Sequence, residues 1–69
     1  MPQITLKAAR VNANLSQTDA AEKLGVAAST LRNWECGKTY PKQYQIVKIC
    51  VLYGIHFDNI FFGKELAES

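Results

Sequence analysis

No stretch of these 69 residues holds the ~18 consecutive apolar side chains that a membrane-spanning helix needs. The opening Met1-Pro2-Gln3-Ile4-Thr5-Leu6-Lys7 also lacks the apolar core of a signal peptide, so a cytoplasmic protein is expected. Cysteine is scarce. Cys36 and Cys50 lack Cys-x-x-Cys spacing and cannot complete a zinc site with the single His56. They read as a turn residue and a small core residue, and no metal or cofactor is expected. One histidine, no paired acid and base and no glycine-rich phosphate loop leave an enzyme nothing to work with. Neither charge sign dominates. Eight Lys+Arg against six Asp+Glu give a formal net charge of +2, which is compatible with nucleic acid without demanding it.

What is present is apolar material in helical order. At 48% hydrophobic residues the chain is too apolar for a disordered tail, and its length allows one domain. A first helix is expected over about Thr5 to Ala13, with Leu6, Ala9, Arg10 and Ala13 inward and Asn14 as a left-handed stop. Ser16 with Asp19 makes a capping-box pattern for a second helix over Gln17 to Leu24, with Ala20, Ala21 and Leu24 inward. Gly25 supplies a positive-φ turn. A third helix opens at Ala27 or Ala28 and ends near Glu35 and Cys36, with Leu31 and Trp34 on its apolar side. Pro41 disfavours helix at Tyr40 and suits a fresh start beyond it. A fourth helix is expected over about Tyr44 to Tyr53, turning Ile46, Ile49, Cys50 and Tyr53 inward. A short fifth is expected from Ile55 and Phe57 through about Phe61, and 63–69 reads as a short flexible tail behind a 1–62 domain.

The most specific feature is a run of short motifs in order: Leu15-Ser16-Gln17, Ala21, Gly25-Val26-Ala27, Thr30-Leu31-Arg32-Asn33-Trp34-Glu35-Cys36-Gly37-Lys38, Pro41, and Tyr53-Gly54-Ile55-His56-Phe57-Asp58. Together they resemble the helix-turn-helix of the Cro/repressor (XRE) family over nearly the whole chain. The resemblance implies an all-α, five-helix, lambda-repressor-like domain. It further implies a bacterial, nucleoid-associated transcriptional regulator, most like a phage or prophage repressor, that binds a double-stranded DNA operator as a homodimer. The rival class is an antitoxin or protein-interaction module with weak or no DNA binding.

The outer flank of the third helix carries Ala28, Ser29, Arg32 and Asn33, side chains suited to base edges in the major groove. Gln17 opens the second helix, where unpaired N–H groups favour phosphate. The resemblance gives its side chain a phosphate contact and a bracing role. Lys38, Tyr40, Lys42 and Gln43 follow the third helix and are expected along the sugar–phosphate backbone. The resemblance also pairs Arg10 with Glu35 as a structural ion pair. Ala27 departs from the family, which prefers Ser or Thr as the cap there. Tyr44, Val47 and Val51 lie beside the inward face of the fourth helix and, with Phe61 and Phe62, form a candidate dimer contact.

Overall fold

Four short α-helices and a two-stranded parallel ribbon enclose one core in the computed structural model, which describes residues 3–62. The expected 63–69 tail lies outside the described residues.

Strand β1 (Ile4–Thr5) runs directly into helix α1 (Leu6–Asn12), because Thr5 also caps that helix, its Oγ1 accepting from the Ala8 N–H at 3.0 Å. Asn14, at φ 62°, stops α1 in the left-handed region, as an Asn tolerates. Helix α2 (Gln17–Leu24) is capped by Ser16, whose Oγ accepts from the Asp19 N–H at 3.0 Å. The return bond from Asp19 to the Ser16 N–H is absent among the described residues, and Asp is one methylene short of the Glu that usually makes it. Gly25 (φ 74°) then turns the chain into helix α3 (Ala28–Cys36).

Helix α4 (Gln43–Tyr53) starts one residue earlier than the pattern suggests, since the Lys42 N–H is held by Gln45 Oε1 at 2.7 Å. Ile49 and Tyr53 are its innermost residues, while Ile46 and Cys50 are half-buried. Lys48 Nζ donates to the Leu24 carbonyl at 3.2 Å, tying α4 to the open end of α2. The core joins Leu6 and Ala9 of α1, Ala20, Ala21 and Leu24 of α2, Leu31 and Trp34 of α3, and Ile49 of α4. Ala20 and Ala21, at 0% and 2% exposure, let α2 lie close to its neighbours.

The fifth helix does not form. A single 3₁₀ turn, Phe57–Asn59, leads into strand β2 (Ile60–Phe61), which pairs in parallel with β1 in the register Ile4 with Ile60 and Thr5 with Phe61. Two causes are visible. His56 offers the turn no side-chain cap. Ile60 and Phe61 are β-branched and aromatic and find the open edge of β1 beside them. Ile60 is thereby buried at 2% exposure, whereas Phe57, expected to begin the fifth helix, remains 51% exposed.

Candidate nucleic-acid interface

Leu31 and Trp34, three residues apart, are 0% and 5% exposed and pin one side of α3 to the core. That anchoring leaves Ala28, Ser29 and Arg32 exposed on its outer flank, with Asn33 half-buried at the margin. Arg32 makes no hydrogen bond or ion pair among the described residues. Ala27 holds the extended cap conformation (φ −71°, ψ 151°) but has no side-chain acceptor for the first N–H groups of α3. Ala27→Ser is therefore expected to stabilise the domain by about 1 kcal/mol. A thermal melt without a gain would contradict this.

At its other end α3 stops at Gly37 (φ 80°), and the Lys38 N–H donates to the Asn33 carbonyl at 2.9 Å. This closure ends α3 and leaves Lys38 exposed just beyond it. Lys38, Tyr40, Lys42 and Gln43 are all exposed along the segment from α3 into α4, while Pro41 between them is buried. Tyr40 is not free-standing: its ring centroid lies 5.5 Å from that of Phe62.

Beneath this surface α1, α2 and α3 meet at a buried polar knot. Arg10 Nε donates to Glu35 Oε2 at 2.8 Å and Nη2 to Oε1 at 3.4 Å. A third bond runs from Nη1 to the Leu15 carbonyl at 2.9 Å. The side chains are 9% and 5% exposed. Gln17 Nε2 donates to Glu35 Oε1 at 3.1 Å, so the first residue of α2 is bonded to the last turn of α3. The knot thus ties α1, α2 and α3 together at one buried point.

Tyr53, the first residue of the last sequence motif and expected only to face inward, reaches the same region from α4. Its hydroxyl is buried without a hydrogen-bond partner among the described residues. Burial, then the Glu35 carboxylate, push its ionisation up to about 12 against the counter-pull of Arg10. An acid whose folded value exceeds its unfolded value near 10 stabilises the fold fully below pH ~10 and loses that contribution as pH rises through about 12. Tyr53→Phe is expected to leave neutral-pH stability unchanged or slightly higher, because it removes an unpaired buried hydroxyl. It should also remove an alkaline loss of about 2–3 kcal/mol. Urea melts of both proteins at pH 8 and above pH 11 test this.

On α4 the structure separates the five candidate dimer residues. Tyr44, Val47 and Val51 are 62%, 56% and 77% exposed. Phe61 and Phe62 are half-buried, with Phe62 packed against the core and stacked on Phe57 at 5.9 Å. Val47 and Val51 instead share an open groove of about 830 Å³ with Tyr40, Ile46, Cys50 and Phe57. The contribution of Tyr40 and Phe57 was invisible in sequence, since it depends on where two loops come together. Burial raises the Cys50 thiol on the groove floor. Among the described residues, no three of His, Cys, Asp or Glu gather to hold a metal ion, and no helix is long and apolar enough to cross a membrane.

Comparison with known proteins points the same way. The family described as helix-turn-helix matches residues 6–60. The HTH-type transcriptional activator BcrR of Enterococcus faecalis is 33% identical over 61 residues, which make up 88% of this chain and 30% of that protein. An uncharacterized HTH-type transcriptional regulator of Methanocaldococcus jannaschii is 39% identical over 60 residues, covering 87% of this chain and 91% of the relative.

Proposed function

The chain belongs to the helix-turn-helix family of Cro/repressor (XRE) type, and from that membership we propose that it regulates transcription as a sequence-specific, double-stranded-DNA-binding homodimer. Helix α3 enters the major groove with Ala28, Ser29, Arg32 and Asn33 toward the base edges. Gln17, Lys38, Tyr40, Lys42 and Gln43 take the flanking phosphates, which set position rather than sequence. The observation that carries this reading is the outer flank of α3. It is held from behind by Leu31 and Trp34 and offers an unengaged guanidinium among small side chains, so the helix can approach closely.

The exposed row on α4 and its groove support contact with a second copy, which would set two α3 helices ~34 Å apart on a near-palindromic site. Operator occupancy would exclude polymerase, as in the phage repressors that the motif resembles. The Enterococcus relative is named an activator, so recruitment from the same bound state is the other outcome.

Selection from a random duplex library at low salt tests the proposal. Enrichment of a two-fold site with half-sites about 10 base pairs apart supports it. A library that emerges unenriched overturns it. Val51→Glu should weaken binding to the full site by tenfold or more while leaving single half-site binding intact. Unchanged sedimentation and full-site affinity would move the copy contact elsewhere.

The alternative, an antitoxin or protein-interaction module, draws on the same apolar groove and on the small net charge. It predicts a protein partner seated on α4 and little response of DNA binding to Arg32.

A further inference from the structure

We infer that α3 reads two particular base-edge groups, the N7/O6 acceptor pair of a guanine through Arg32 and the C5-methyl of a pyrimidine through Ala28. This rests on the DNA-binding reading above and specifies which atoms of the operator it would recognise.

The outer flank of α3 offers donors and methyl groups but no free carboxylate. Its carboxylate is withdrawn: Glu35 is turned inward, with both oxygens committed to Arg10 and Gln17. Without an acceptor-only group, the flank has little with which to select the amino groups of cytosine or adenine. Ser29 and Asn33 have mixed donor and acceptor character, and Asn33 is set back, half-buried. Arg32 is the only charged side chain on the flank. It is exposed and unengaged among the described residues, and it carries donors alone. The base edge that meets two parallel donors with two acceptors is guanine in the major groove.

At the opposite end of the flank stand the exposed methyls of Ala27 and Ala28. They fit an apolar protrusion, and in the major groove that protrusion is the pyrimidine C5-methyl. Ala28 and Arg32 are four residues apart, which is ~6 Å along the helix axis. The two recognised groups therefore fall within a few base steps of each other in each half-site. Small side chains at 27–29 also remove any bumper that would hold α3 away from the base edges.

The test uses the full chain and its selected duplex, with fluorescence anisotropy as readout. Replacing guanines one at a time by 7-deazaguanine should weaken binding roughly tenfold or more at one position per half-site. Arg32→Ala should abolish that position's sensitivity. Replacing thymine by uracil at one position within a few steps of that guanine should weaken binding several-fold, and 5-methylcytosine at the same position should recover the methyl contribution where cytosine does not. The analogue arms alter only the DNA, so they hold even if a protein variant folds poorly. Tight binding to a selected site that is indifferent to both analogues would overturn this inference and leave the regulator reading standing. A chain that selects no duplex would overturn both.

Discussion

Glu35→Ala is expected to lower unfolding stability by about 3–5 kcal/mol, the usual cost of removing one partner from a buried ion pair. The cost does not come from a strong pairwise attraction. Taking two charges out of water nearly cancels what they gain from each other, so the intact pair adds little net stability. Removing the carboxylate alone leaves the Arg10 guanidinium at 8% exposure with only the Leu15 carbonyl to bond, and strips Gln17 of its acceptor. Domains of this size usually have only ~5–10 kcal/mol to lose, so a substantial unfolded population at 37 °C should follow. Arg10→Met with Glu35→Leu should recover most of the stability, because apolar side chains of similar volume carry no desolvation cost. Urea melts measure the first effect, and DNA affinity of the double variant measures the second. A double variant that folds as stably as wild type and binds the operator equally well would show that the knot has no positioning role. Retained stability with weakened binding would assign it the angle between α2 and α3.

Operator affinity is expected to fall by about two orders of magnitude between 50 and 200 mM salt. Lys38 and Lys42 are the exposed cations on the segment after α3, giving four in a dimer. If each neutralises one phosphate, the slope of log affinity against log salt is about −3.6, and a fourfold rise in salt costs roughly 10²-fold. Lys38→Ala should weaken all duplexes alike and flatten that slope by about 2 for the dimer, because a phosphate contact carries no sequence information. A slope near zero would leave no room for those contacts and would favour a protein partner over DNA.

The split between what could be read from the chain and what could not follows the range of the interactions. Capping by Ser16, the positive-φ stops at Asn14, Gly25 and Gly37, and the inward positions of Leu31 and Trp34 are decided within one or two turns. The two helices and their turn were therefore legible from residue spacing, as was the exposed flank of α3, while the family came from the resemblance of the ordered motifs. Periodicity over Ile55 to Phe61 suggests a fifth helix that does not form, because it cannot register a strand partner 56 residues away. Once Ile4 and Thr5 offer a free edge, the β-branched Ile60 and aromatic Phe61 extend along it.

Local patterning along the chain determined four helices, where each ends and which of their faces are apolar, because backbone bonds, caps and side-chain periodicity act between near neighbours. Tertiary structure alone decided that Tyr53 comes to the Arg10–Glu35 pair, that Lys48 closes the end of α2, and that Tyr40 and Phe57 widen the α4 stripe into a groove. Each of these depends on the approach of segments distant in the chain, which is governed by packing of the whole core and leaves no periodic trace in any one segment.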